Sequence, residues 1–169
     1  MTAAQGDGDA AASSAASPTT QDALDLLHDD HRRIDALLAD CERLVASPQA
    51  SSADRSGLVS RLGALLIAHG QLEQQLFYPA LGAPAAEIED ALADHEAIKQ
   101  SLLRLSEVDA PPASFDECIK TLAPRVREHF SAEERQLFPR ARSSGIDLHE
   151  LGSQLALRRA ALLGDQGVD

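Results

Sequence analysis

An all-α fold, four long helices and a shorter fifth, is what this 169-residue chain predicts. Apolar residues recur at the three-and-four spacing of a helical stripe in five stretches, each bounded by Pro, Gly or a capping residue. No stretch sustains a period of two, and the few β-branched residues are scattered among helix formers, so a sheet has little to be built from.

Residues 1–18 are mostly Ala, Ser, Gly, Asp, Gln and Thr, closed by Pro18. They hold too little apolar surface to offset ordering the backbone and predict a disordered tail. Thr20 suits an N-cap, and Leu24, Leu27, Ile34 and Leu38 form a stripe running to the Ser47-Pro48 break. A second helix starts near Ser52, carries Leu58, Leu62, Leu65, Leu66, Leu72 and Leu76, and is expected to stop at Pro79 and Gly82. Pro84 suits the first turn of a third helix over roughly 84–108, with Ile88, Leu92, Ile98, Leu102 and Leu105 on its stripe before Pro111-Pro112. Ser114 with Glu117 has the form of a capping box. The helix it opens runs through Leu122, Val126, Phe130 and Leu137 to Pro139, with Pro124 expected to kink it or delay its regular part. A second capping box, Asp147 with Glu150, starts a shorter fifth helix with Leu148, Leu151, Leu155 and Leu162 before Gly164. The expected organisation is a tail over 1–18, one bundle over 19–140, and a helix and tail packed on it over 141–169, a length that buries a real core.

The formal charge of −12, from 27 acidic and 15 basic residues, predicts a surface that repels phosphate backbones and anionic lipid. Arg32-Arg33 and Arg158-Arg159, the nearest approach to a basic cluster, read as solvated helix faces. Neither nucleic acid nor membrane is expected as a partner. Cys41 and Cys118 stand far apart in no metal or redox spacing, which suits reduced thiols in a reducing compartment. No Lys or Arg precedes Arg32 and no apolar run reaches spanning length, so a cytoplasmic protein is expected.

The chemistry lies in an internal repeat. His69-x-x-x-Glu73-x-x-x-Phe77-Tyr78-Pro79 returns as His129-x-x-x-Glu133-x-x-x-Leu137-Phe138-Pro139, and Asp30-His31-x-x-Ile34 returns as Asp94-His95-x-x-Ile98. Residues four apart on a helix point about 40° from each other, so each His-x-x-x-Glu presents an imidazole and a carboxylate side by side. All four histidines fall in register with the apolar stripes and point inward. Burying four imidazoles and two carboxylates costs several kcal/mol per unpaired charged group, a cost that divalent cations relieve. Imidazole and carboxylate donors together suit iron, manganese or zinc, and facing helices build dinuclear carboxylate sites in this way.

The order Asp30-His31, His69-x-x-x-Glu73, Asp94-His95, His129-x-x-x-Glu133 resembles the hemerythrin-like, or HHE cation-binding, domain over about residues 20–140. The resemblance implies an up-down-up-down four-helix bundle around a non-haem diiron centre, a carboxylate-bridged Fe–O–Fe pair. His31, His69, His95 and His129 would be its terminal ligands, and Glu73 and Glu133 its bridges. It implies binding of, and reaction with, dioxygen or a related small oxidant. The alternatives are a diiron enzyme that decomposes hydrogen peroxide or reduces nitric oxide, and an iron sensor or storage module read by a protein partner. This chain departs from the oxygen carriers at Lys99, where His95-x-x-x-His is expected, and at Glu133, which stands at i+4 in place of an aspartate at i+5. One histidine fewer leaves a coordination position open, which favours reactivity over reversible carriage. The cysteine-bearing N-terminal segment of iron-cluster-repair members has no counterpart in residues 1–20.

Around the six ligands, Asp35, one turn after His31, and Tyr78 are candidates for outer contacts. Asp30 and Asp94, about 100° from their neighbouring histidines, are expected to link adjacent helices instead. His28 is a spare histidine that reads as exposed, and Glu134 reads as a bystander pointing away from the site.

Overall fold

The computed structural model describes residues 21–47, 49, 51–82, 85–106 and 112–164. The elements are α1 (Ala23–Val45), α2 (Ser52–Leu72), a π-helical segment (Glu73–Phe77), α3 (Tyr78–Leu81), α4 (Ala85–Leu105), α5 (Pro112–Ser143) and α6 (Leu148–Gly164). The described residues contain no strand. The tail over 1–18, Thr20 and Pro84 lie outside them.

Local chemistry sets most helix ends, at times one step from where the sequence put them. Asp22, not Thr20, caps α1, its carboxylate accepting from the Leu24 and Asp25 N–H groups. Ser51 caps α2 in a reciprocal box with Asp54. Asp147 caps α6 through the His149 and Glu150 N–H groups, while the Glu150 side chain turns to Gln154 and leaves the box half made. Gly82, at φ 53°, ends α3 in the left-handed conformation that glycine adopts without a Cβ penalty.

Prolines stop less than expected. The second helix passes Pro79 because the preceding π turn pairs the Tyr78 N–H with the Glu73 carbonyl, so Pro79 enters the first turn of α3, where no N–H is required. The fourth helix begins at Pro112, which places Ser114 inside its first turn, and it continues through Pro124 and Pro139 to Ser143. Both prolines are exposed, so the carbonyl four residues before each can turn to water. The boundary expected at 140 therefore falls within α5.

Two apolar clusters stack along the bundle. One joins Ile34, Leu38, Leu62, Ile98, Ile119, Leu122 and Val126; the other joins Leu24, Leu27, Leu72, Phe77, Leu137, Leu151 and Leu155. The chain meets them in alternating order, α1 from the second to the first, α2 back, α4 out and α5 back again, so consecutive long helices run antiparallel. Each fully buried Leu, Ile or Phe stabilises by about 1.5–3 kcal/mol relative to exposure. The polar cluster described below lies between the two. α6 packs across α1 and α2, where Gly152 meets the backbone of Gln21, Asp22 and Ala23; a Cβ there would stand 2.5 Å from the Gln21 carbonyl oxygen.

Candidate metal centre

His31 on α1, His69 on α2, His129 and Glu133 on α5, and Glu73 at the start of the π segment are buried to within 4% exposure; His95 on α4 is slightly more open. Their donor atoms fall into two overlapping groups, each lying within 4.8 Å: His31, His69, Glu73 and Glu133, and Glu73, His95, His129 and Glu133. Both glutamates belong to both groups. Glu73 turns Oε1 to His69 Nε2 at 3.2 Å and Oε2 to His95 Nε2 at 3.1 Å. Glu133 Oε2 stands 3.5 Å from His31 Nε2 and 3.6 Å from His129 Nε2.

The repeat in sequence is a pseudo-twofold in space. The His31 and His69 rings meet edge to face at 4.8 Å, and those of His95 and His129 at 4.6 Å. Phe138 lies against His31 and Tyr78 against His95, each with centroids 5.8 Å apart. Asp30 approaches His69 Nδ1 at 4.0 Å and Asp94 approaches His129 Nδ1 at 3.9 Å, so these aspartates do link neighbouring helices. Asp30 is in turn held by Arg159 of α6 at 2.7 Å, and Asp94 by Arg125 at 3.0 Å.

Two residues that follow the glutamates complete the pattern. Glu134 Oε1 lies 2.7 Å from His31 Nδ1, and Gln74 Nε2 lies 2.9 Å from His95 Nδ1. Glu134 is therefore no bystander: it holds the outer nitrogen of His31 while Nε2 faces the cluster, the arrangement that fixes a metal-binding imidazole. The signal is present in the repeat, where Glu73-Gln74 answers Glu133-Glu134, both placing a polar side chain at the same ring nitrogen. His28 is half-exposed and meets Glu134 at 3.1 Å on the side away from the cluster. Asp35 is exposed and paired with Arg127 at 2.6 Å, so it makes no outer contact with the site. Tyr78 does: its hydroxyl donates to Glu133 Oε1 at 2.6 Å and lies 3.5 Å from Glu73 Oε2.

The chemistry of this donor set fits a cation. Buried His31 Nε2, His69 Nε2, Glu73 Oε1 and Glu133 Oε2 have no hydrogen-bond partner although all four converge. An unpaired buried polar atom costs about 1–3 kcal/mol, more when charged. Burial opposes charge on Glu73, but the imidazoles of His69 and His95 close beside it prevail and hold its carboxyl well below the usual range. Burial likewise opposes a proton on His31 and His95, and the surrounding carboxylates outweigh it and raise both. At His129 burial wins and the pKa falls. Burial and the two glutamates push the Tyr78 phenol far above its ordinary value, so it stays a neutral donor. Away from the site, Cys41 and Cys118 are free thiols, and burial raises Cys41 to about 11. None of the described helices is long and apolar enough to cross a membrane.

A family model described as Hemerythrin HHE cation binding domain matches residues 22–141, which takes in the six clustered residues and leaves α6 beyond it. Uncharacterized proteins of Mycobacterium tuberculosis H37Rv (Rv2633c) and Mycobacterium bovis (Mb2666c) are 26% identical over 140 residues, covering 81% of this chain and 87% of each relative. A crystal structure of a hemerythrin HHE cation binding domain-containing protein, the Rv2633c homolog from Mycobacterium kansasii, superposes with a TM-score of 0.72 at 25% identity, covering 86% of this chain and 89% of that one.

Proposed function

Because the chain belongs to the hemerythrin HHE cation-binding domain family, we propose that its buried cluster holds two iron ions that bind and react with dioxygen or a related small oxidant. The observation that carries this reading is the sharing of both glutamates between two histidine pairs, with Glu73 turning one oxygen to each half. A single-ion site needs no such sharing.

In this reading His31, His69, His95 and His129 would hold the ions, and Glu73 and Glu133, common to both groups, would be shared between them. A ferrous pair supplies two electrons to an oxidant. The chain's own residues set the conditions for that. Glu134 fixes the ring of His31 through Nδ1, and the Gln74 amide holds that of His95 through Nδ1. Tyr78 keeps a hydroxyl proton inside the cluster and restrains Glu133 through Oε1, leaving Oε2 toward the histidines. Phe130, stacked on His31 at 3.9 Å, and Phe138 exclude water on that side.

With four histidines and Lys99 where a fifth would stand, the centre offers an open position to small molecules. The anaerobically reduced protein is expected, on meeting dioxygen, to pass directly to the oxidised form. The oxidised form is expected to evolve dioxygen from hydrogen peroxide, with Glu73→Ala abolishing this and His149→Ala, at an exposed position on α6, leaving it intact. A coloured oxygenated protein stable for hours, releasing its gas unchanged under vacuum and turning over no peroxide, contradicts the reactive reading.

A further inference from the structure

The two halves of the centre are alike in their histidines and unlike in what surrounds them. His31 is backed by the charged Glu134, and His69 faces Asp30, which is buried and tied to α6 through Arg159. His95 is backed by the neutral amide of Gln74, and His129 faces a half-exposed Asp94. Between α2, α4 and α5 lies a cavity of about 190 Å³, lined by His95 and His129 of this second half and by His69 of the first. Its walls are Leu66, Ile98, Leu102 and Phe130, and it reaches the surface at Ile67, 48% exposed, and Lys99.

This space is larger than dioxygen requires. A water takes about 30 Å³ in the liquid, and an apolar cavity of about 150 Å³ is enough to hold benzene. Leu66, Ile98, Leu102 and Phe130 make part of the wall apolar, while the histidines with Gln71 and Gln74 make the rest polar, a division that suits a molecule with a compact hydrocarbon body and one polar end. We propose that the cavity binds a short alkyl hydroperoxide, its body against Leu66, Ile98 and Phe130 and its polar end toward His95 and His129. The size and apolarity of the guest follow from the cavity; the hydroperoxide group rests on the oxidant-handling function proposed above.

Zinc exchanges no electrons, so the full chain loaded with zinc separates binding from reaction. Titration with tert-butyl alcohol and with tert-butyl hydroperoxide, followed by protein nuclear magnetic resonance, is expected to give saturable shifts at Gly70 and Ile98. Ile67→Trp at the mouth and Leu102→Phe in the wall are each expected to weaken both probes at least tenfold while the metal count stays unchanged. Shifts that never saturate, or equal affinity in the original chain and both variants, overturn the proposal. That outcome is independent of whether the iron-loaded chain reacts with dioxygen or peroxide, which tests the other reading.

Discussion

Glu73→Ala is expected to empty the centre of both ions, and Glu133→Ala to do the same. Each carboxylate faces histidines of both halves, so removing either takes a donor from two positions at once. It also leaves the imidazoles that the carboxylate had held, His69 and His95 in the case of Glu73, without their counter-charge. Loss of an outer-shell partner alone costs roughly 10–100-fold in metal affinity. Loss of a bridge is expected to exceed that and to bring iron, measured after gel filtration, from two per chain to near none. Glu134→Gln is expected to fall between, keeping two ions at saturating iron with weaker affinity, since of the six clustered residues it meets His31, at Nδ1. Glu117→Ala, on the exposed face of α5, is expected to change nothing. Equal iron in all four variants excludes the glutamates as bridges.

The second large effect concerns folding. Gly152→Ala places a Cβ 2.5 Å from the Gln21 carbonyl oxygen and 2.8 Å from the Asp22 carbonyl carbon, and backbone cannot step aside as a side-chain tip can. Overpacking of this kind costs about 1–3 kcal/mol, more than the roughly 1 kcal/mol that alanine gains over glycine within a helix. The melting temperature is expected to fall, by up to about 8 °C, as α6 lifts from α1. Gly63→Ala, on α2 with nothing within 4 Å of the added carbon, is expected to raise it slightly. Calorimetry of the two variants side by side reads opposite signs; a Gly152→Ala chain as stable as the original shows that α6 does not sit on α1 as described. Because Arg159 of α6 holds Asp30 beside His69, undocking is also expected to loosen iron at that half.

What the sequence reveals and what it hides follow from the range of its rules. Spacing within one helix is local, so His69, Glu73, His129 and Glu133 are legible from the i,i+4 pattern and His31 and His95 from the repeated Asp-His pair, and the structure brings all six together. Contacts between helices are not local. Glu134 points about 100° from Glu133 on its own helix, yet both reach His31, because the imidazole offers a nitrogen on each side and stands between α1 and α5. Asp35, one turn from His31, was the natural outer candidate, but Arg127 from α5 draws it to the surface. Tyr78 is matched in the repeat by Phe138, a residue that can only pack. The rings do take equivalent places against His95 and His31, and the added hydroxyl alone reaches Glu133. Pro79 and Pro139 read as stops because their cost is judged per helix; a π turn before one and solvent beside the other remove most of it.

His31, His69, Glu73, His95, His129 and Glu133 are proposed to hold two ions together. The most direct measurement is the metal content of the full chain loaded aerobically with iron and freed of excess, read together with its near-ultraviolet spectrum. Two irons per chain, with charge-transfer absorption that disappears in Glu73→Ala, is the predicted result. One ion per chain at saturation, or two ions retained when Glu73 is replaced, contradicts it.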